Sequence, residues 1–263
     1  MISTLSIICL GVSAGISVCL PVALFLFFRK RYGLKVVPLL VGGTSFFLAV
    51  MILEPILHAV VLRPAADGTV DLMVRYPFLY MLYGSFAAGV FEESARFLCF
   101  QLMKRKYHNS GTAISYGIGH GGLEAILLVG LGMIANIVFS LLSNSGTAET
   151  MKVIPEIDDA IHSLRDTPSY MFLLGGIERI FAICLQISFS ILVWYAVNQS
   201  GKKRWFLVAI ILHAVVDMPA LLLRTGTIES VWVVEILLFA STLALVFLAA
   251  RMVRRTEQAV LDS

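Results

Sequence analysis

Charged residues are scarce in this sequence, where they make up 14% of the 263 residues. A soluble domain of this size carries about a quarter, so the deficit argues against a water-soluble fold. The four cysteines are scattered without a CxxC pair, which indicates neither a zinc knuckle nor a disulfide framework. The sequence also contains no separate soluble domain, linker or low-complexity tract. Its net charge of +3 needs no nucleic acid to explain it.

Apolar residues, in contrast, make up 59% of the chain. Apolar runs of about 18 residues or more recur along the whole length, which is the pattern of helices that cross a membrane. We therefore expect an all-α fold, a polytopic membrane helical bundle that forms a single domain over residues 1–263. The seven predicted spans cover 3–28, 36–62, 77–103, 111–143, 169–197, 205–223 and 228–250.

The basic residues predict the orientation of the bundle. They concentrate after the first, third, fifth and seventh spans, and the positive-inside rule puts such ends in the cytoplasm. The N-terminus is therefore predicted to lie outside and the C-terminus in the cytoplasm. Residues 144–168 form the longest predicted extracytoplasmic loop, in which Ile154, Ile157, Ile161 and Leu164 recur at helical spacing. This spacing predicts a short amphipathic helix at the membrane interface.

Several ionisable residues lie inside predicted spans, although a charge near the bilayer centre costs at least about 2.5–3.5 kcal/mol. With a rise of about 1.5 Å per residue, those of spans three, four and six fall roughly 12–15 Å from the cytoplasmic helix ends. Three helices can thus place polar groups in one layer, which favours a functional site over isolated structural pairs. The candidate site residues are Glu92, Glu93 and Arg96 of span three, His120 and Glu124 of span four, and His213 and Asp217 of span six.

Helical spacing indicates which of these groups share a helix face. Residues four apart project from one face, as do His120 with Glu124 and His213 with Asp217. Arg96 lies within one turn of both preceding glutamates. Because two adjacent carboxylates in a low-dielectric pocket do not readily ionise together, Arg96 can neutralise one glutamate and leave the other to accept a proton from water.

Two other features have structural interpretations. Glu54–His58 and Glu178–Arg179 are separate intramembrane pairs, and an isolated pair of this kind is more often structural than catalytic. The glycines of residues 116–124, which read YGIGHGGLE, follow no strand, so a nucleotide-binding loop is rejected. Small residues in a membrane helix instead permit the close approach of a neighbouring helix.

In chain order the three motifs read Glu92-Glu93-x-x-Arg96, Tyr116-x-x-x-His120 and His213-x-x-x-Asp217. This series resembles the superfamily of CAAX-processing and bacteriocin-processing intramembrane peptidases, which carry three such motifs on three separate helices. The Gly-His-Gly-Gly-x-Glu form of the second motif is most similar to the bacterial YhfC family, and PrsW-like proteases are related. The resemblance covers most of the chain, because the number of spans and the order of the motifs agree.

The resemblance implies hydrolysis of a peptide bond within the membrane, in a membrane-associated protein or peptide substrate. In such enzymes a glutamate of the first motif, here Glu92 or Glu93, activates water together with the histidine of the second, here His120. The third motif, here His213 and Asp217, stabilises the oxyanion. The location that the resemblance implies is the plasma membrane of a bacterium, crossed several times by the chain.

The superfamily is often described as metalloproteases, so the resemblance also implies zinc as a cofactor. His120, His213 and a carboxylate such as Glu93 can hold zinc and leave a fourth position for water. A metal-free glutamate mechanism explains the same residues, and the sequence does not choose between the two. YhfC-like chains tend to carry a histidine seven positions after the Glu-Arg of span five, where this chain has Gln186.

Two other classes of function are weighed against an intramembrane endopeptidase. One is a non-catalytic scaffold or chaperone of the same fold. Such a protein has no need of a second glutamate beside the one that Arg96 neutralises. A proton-coupled transporter would use the same carboxylates, but no inverted repeat of broken helices is evident. We therefore expect an endopeptidase whose partners are the lipid bilayer and its substrate, with no nucleic acid.

Overall fold

The structure is a computed structural model that describes residues 1–145 and 155–261, and every regular element within these ranges is a helix. The second and fifth helices contain π-helical segments, Phe47–Leu53 and Ile126–Gly130. The helices are α1 (Thr4–Tyr32), α2 (Val36–Leu62), α3 (Asp71–Arg75), α4 (Pro77–Met103), α5 (Ser110–Asn144), α6 (Pro155–Asp166), α7 (Ser169–Asn198), α8 (Arg204–Arg224) and α9 (Val231–Leu261).

In the described part of the chain, six helices are long and apolar enough to cross a membrane, namely α1, α2, α5, α7, α8 and α9. The predicted all-α, multi-pass membrane fold is thereby confirmed. The third predicted span corresponds to α4, which has 27 residues but carries Glu92, Glu93 and Arg96, and these charges lower its hydropathy. The count of seven spans and the orientation of the termini stay predictions.

Local sequence explains where several helices begin and end. Ser3 Oγ accepts a hydrogen bond of 3.0 Å from the backbone N–H of Ser6 and so caps α1. Asn109 Oδ1 caps α5 in the same way, with the N–H of Thr112 at 3.1 Å. After α1 the chain turns at Gly33, whose φ of 61° favours glycine. These contacts determine where α1 and α5 begin and where α1 ends.

The first half of α5, Ser110–Ala125, is almost entirely buried and packs against α1, α2 and α7. Two glycines permit this close packing. A Cβ atom at Gly117 would overlap the Cα atom of Ile187 on α7, and one at Gly119 would overlap the carbonyl group of Leu39 on α2. The glycines predicted to permit helix approach therefore do so, and α7 comes within hydrogen-bonding reach of α5.

The bundle has two ends, which differ in charge. At the basic end α1 and α7 end and α5 begins, and there Trp194 Nε1 donates to the carbonyl of His108 at 3.2 Å. At the opposite end, which we name the distal end, α2 and α8 end and α4 and α9 begin. Tyr170 of α7 stacks there on Trp232 of α9, with ring centroids 6.0 Å apart. Between the two ends, α4 packs along α8 and also contacts α7.

Helix α6 lies within the predicted loop 144–168. Its Ile161 and Leu164 are buried, and Leu164 belongs to the same buried apolar cluster as Phe172 of α7. This helix therefore packs on the distal part of the bundle. Ile154, the first residue of the predicted amphipathic pattern, lies outside the described residues.

Candidate active site

Ionisable side chains from three helices and a glutamine from a fourth meet inside the bundle. The members share near-complete burial, and we name them the central cluster: Glu92, Glu93 and Arg96 of α4, His120 of α5, Gln186 of α7 and His213 of α8. Glu124 and Asp217 border the cluster. The structure thus brings the predicted site residues of three separate spans to one place.

The two adjacent glutamates have different partners. Arg96 Nη1 donates to Glu93 Oε1 at 2.5 Å, whereas Arg96 Nη2 lies 3.9 Å from Glu92 Oε2. Glu92 Oε2 instead faces His120 Nε2 at 2.8 Å. The sequence leaves open which glutamate Arg96 holds. The geometry pairs Arg96 with Glu93 and leaves Glu92 to contact His120.

The imidazole of His120 is fully buried and enclosed by aromatic rings. Phe46 of α2 meets it edge-on with centroids 5.3 Å apart, and Tyr116 stacks on it at 6.0 Å. The Tyr116 hydroxyl donates to Ser45 Oγ at 2.6 Å, which fixes the ring. Among the described residues, His120 Nδ1 has no hydrogen-bond partner. The ring therefore directs Nε2 to Glu92 and turns Nδ1 away from it.

His213 is held between carboxylates. Its Nδ1 lies 2.7 Å from Glu93 Oε1, and its Nε2 lies 3.5 Å from Asp217 Oδ2 and 3.7 Å from Glu92 Oε1. Phe189 of α7 stacks on the imidazole at 4.7 Å with an interplanar angle of 9°. With a carboxylate beside each nitrogen, the ring can donate hydrogen bonds from both.

Gln186 joins three of the charged groups, a role that the sequence did not reveal. Its Nε2 donates to Glu92 Oε2 at 3.0 Å and to Glu124 Oε2 at 2.9 Å. Its Oε1 accepts a hydrogen bond from Arg96 Nη2. The sequence signals are its place two helical turns after Arg179, on the same face of α7, and the histidine that YhfC-like chains tend to carry at this position.

Glu124 closes the cluster on the side of α7. Arg179 Nη1 donates to Glu124 Oε1 at 3.2 Å, and its Nη2 donates to Glu178 Oε1. The Glu178–Arg179 pair predicted as structural therefore forms, but it also reaches the candidate site through Glu124. A buried carboxylate with two donors, from Arg179 and Gln186, is held in a fixed orientation.

One group of ligand atoms in the described residues is close enough to hold a metal ion. It consists of Glu92, His120 and Glu124, whose ligand atoms lie within 4.8 Å of one another. Imidazole and carboxylate groups are ligands that zinc uses in catalytic sites, and the Nε2 atom of His120 already lies 2.8 Å from Glu92 Oε2. The predicted set of His120, His213 and Glu93 shares only His120 with this group, because Glu93 is occupied by Arg96 and His213.

A cavity of about 220 Å³ reaches the cluster between α7, α8 and α9. His213, Asp217, Gln186 and Glu124 line its inner part. The Asp217 side chain keeps 36% of its surface exposed there. The cluster is therefore buried in protein but open on one side, as a site that binds a substrate must be.

The fold and the cluster define a class: a multi-pass helical membrane protein with carboxylates and histidines gathered at a buried site. Residues 16–238 match the sequence profile of the family described as YhfC intramembrane metalloprotease. The chain belongs to this family. It is also 37% identical, over 241 residues, to the uncharacterized membrane protein YhfC of Bacillus subtilis (strain 168). That alignment covers 90% of this chain and 92% of the relative. No solved structure matches the chain.

Proposed function

We propose that this protein is an intramembrane endopeptidase, which hydrolyses a peptide bond of a membrane-associated protein or peptide. The observation that carries the proposal is the contact of 2.8 Å between Glu92 Oε2 and His120 Nε2. This pair lies beside His213 at a buried site with an open side. The description of the family as intramembrane metalloproteases supports the same class of reaction.

In the proposed reaction Glu92 is the general base and His120 is its partner. A water molecule beside them gives a proton to Glu92 as its oxygen attacks the carbonyl carbon of the substrate. His213 donates a hydrogen bond from Nε2 to the resulting oxyanion, while Glu93 holds its Nδ1 and Asp217 lies beside Nε2. The C–N bond then breaks and the proton passes from Glu92 to the leaving nitrogen. The products are a carboxylic acid and an amine.

Other residues of the cluster act as positioning residues in this proposal. Arg96 holds Glu93 at 2.5 Å, and Glu93 in turn holds Nδ1 of His213 at 2.7 Å. Gln186 donates to Glu92 at 3.0 Å and restricts the rotation of its carboxylate. Such support keeps reacting groups oriented before the substrate binds.

We propose zinc as the metal that the family description implies, with Glu92, His120 and Glu124 as the residues that would hold it. Glu92 would then hold the ion through one carboxylate oxygen and accept the proton of the water through the other. Zinc lowers the pKa of a bound water to about 7 and polarises carbonyl groups. The charges nearby fit a divalent cation, because carboxylates outnumber the guanidinium groups of Arg96 and Arg179. His213 and Asp217 lie outside this ligand group and act on the substrate oxygen.

We also propose that the protein lies in the plasma membrane of a bacterium, with its N-terminus outside and its C-terminus in the cytoplasm. Basic residues gather at one end of the bundle, which supports this orientation. The similarity to a membrane protein of Bacillus subtilis supports the location.

The test compares new protein N-termini in membranes of bacteria that express the wild type, Glu92→Gln or Glu229→Gln. Glu229 lies in the exposed connection between α8 and α9 and provides the matched control. We expect termini inside or beside apolar segments to accumulate with the wild type and the control. Glu92→Gln should lower their rate of formation by about 10²–10⁴-fold, the usual contribution of a general base. Equal accumulation with a folded Glu92→Gln variant would contradict the proposal.

A further inference from the structure

A second polar group lies inside the bundle and has no part in the proposed reaction. Glu54 Oε1 of α2 lies 3.2 Å from His58 Nε2, and His58 Nδ1 lies 2.9 Å from the hydroxyl of Tyr83 on α4. We name Glu54, His58 and Tyr83 the lateral cluster. The predicted Glu54–His58 pair therefore forms, but it continues to a third residue on another helix.

The lateral cluster is less enclosed than the central one. The His58 side chain keeps 32% of its surface exposed, whereas Glu54 keeps 10%. A carboxylate in a membrane span is costly unless a partner or water satisfies it, and here a single histidine contacts Glu54 among the described residues. Glu54 directly follows the π-helical segment Phe47–Leu53, and such segments often mark functional sites.

The lateral cluster borders a cavity of about 420 Å³ between α2, α4 and α8. A buried water needs roughly 10–15 Å³ of such space, so the cavity has room for many. Val70 and Arg224 line it at the distal end, and Ala88 and Asp217 line it inside. Along α8, the seven residues from Asp217 to Arg224 cover about 10 Å. The cavity therefore runs from the distal helix ends to the border of the central cluster.

Asp217 and Ala220 line this cavity and also the cavity of about 220 Å³ that contains His213. The smaller cavity is bordered at its outer part by Val231, the first residue of α9, which also lies at the distal end. The two cavities thus share two lining residues of α8. The smaller one leads from His213, and the larger one from Asp217, toward the same end of the bundle.

We propose that the lateral cluster lines a water-filled passage, through which bulk water from the distal side of the membrane reaches Asp217 and His213. The carboxylate of Glu54, the imidazole of His58 and the phenol of Tyr83 can form hydrogen bonds with water in the passage, whereas the surrounding helices are apolar. The use of this water in hydrolysis rests on the proposed function; the passage itself does not. The site is then supplied from the side opposite the basic end.

The passage is tested by the reaction of single cysteines with a charged, membrane-impermeant methanethiosulfonate reagent. The four native cysteines, Cys9, Cys19, Cys99 and Cys184, are first replaced by serine. Ala88→Cys and Leu221→Cys then report on the cavity wall. Ala240→Cys, at an exposed position nine residues into α9, is the matched lipid-facing control. Ser230→Cys and Ser200→Cys, at exposed positions at the distal and basic ends, establish the sidedness of sealed vesicles.

We expect Ala88→Cys and Leu221→Cys to react on the order of tenfold or more faster than Ala240→Cys, because thiols react as thiolates, which water stabilises. The reaction should occur only when the reagent is on the side that labels Ser230→Cys. Adding Glu54→Leu should reduce labelling of Ala88→Cys to the rate of the lipid-facing control. Labelling from the basic side, or no faster than the control at both positions, would overturn the proposal.

Adding Glu92→Gln to the Ala88→Cys variant separates this proposal from the proposed function. The labelling rate should stay unchanged in that background, since Glu92 does not line the larger cavity. If the passage exists but the protein is not a protease, Ala88→Cys is labelled and no new N-termini form. If the protein is a protease but the passage does not exist, new N-termini form and Ala88→Cys is not labelled.

Discussion

The central and lateral clusters place ionisable groups inside the same bundle in two different ways. In the central cluster each carboxylate is held from another helix, and Glu93 and Arg96 have no exposed surface. In the lateral cluster the groups form a chain between two helices, and His58 stays about a third exposed beside a cavity. A charge that is sealed in protein needs fixed partners, whereas one beside a cavity can use water. The central cluster thus orients its groups for a reaction, whereas the lateral cluster can hydrate the proposed passage.

The largest expected effect comes from the removal of the positive charge at the centre. Arg96→Met leaves Glu92 and Glu93 buried without their guanidinium partner. Loss of one member of a buried ion pair typically costs about 3–5 kcal/mol, so we expect a comparable loss in the free energy of unfolding. The measurement is unfolding of the purified protein in mixed detergent micelles, and Arg75→Met in the exposed Arg75–Asp71 pair is the control.

Rescue of Arg96→Met distinguishes the two glutamates. Glu93→Gln should restore more stability than Glu92→Gln, because Arg96 is 2.5 Å from Glu93 and 3.9 Å from Glu92. Equal rescue by both substitutions would contradict the assigned pairing. It would indicate that the guanidinium serves the two carboxylates alike.

Sequence periodicity predicted the helices and the layer in which three of them meet. The spacing of four residues correctly puts His120 with Glu124 and His213 with Asp217 on shared faces, since helix geometry alone determines it. The partner of each group could not be predicted, because it depends on how neighbouring helices pack. Gln186 is the clearest case: its contacts with Glu92 and Glu124 need α7 against α5, which the buried glycines permit.

A further prediction concerns metal binding, which should distinguish the central cluster from the lateral cluster. We expect purified wild-type protein to retain zinc in a stoichiometric amount, measured by mass spectrometry of the elements. His120→Gln should lose the ion, whereas His58→Gln in the lateral cluster should keep it, because His58 lies outside the ligand group. Protein that cleaves substrate without metal and in the presence of a chelator would contradict this. Glu92 and His120 would then activate water alone.

The smallest expected effect compares the same chemical change in the two regions. Tyr116→Phe removes a fully buried hydroxyl and leaves Ser45 Oγ without its donor, so we expect destabilisation of about 1–3 kcal/mol. Tyr83→Phe removes the hydroxyl that contacts His58. Water in the passage can replace that contact, so the change should stay within about 0.5 kcal/mol. Unfolding in mixed detergent micelles measures both variants. An equal loss of stability in both variants would mean that water does not reach the lateral cluster. The two clusters would then differ in their hydrogen-bond partners but not in their access to water.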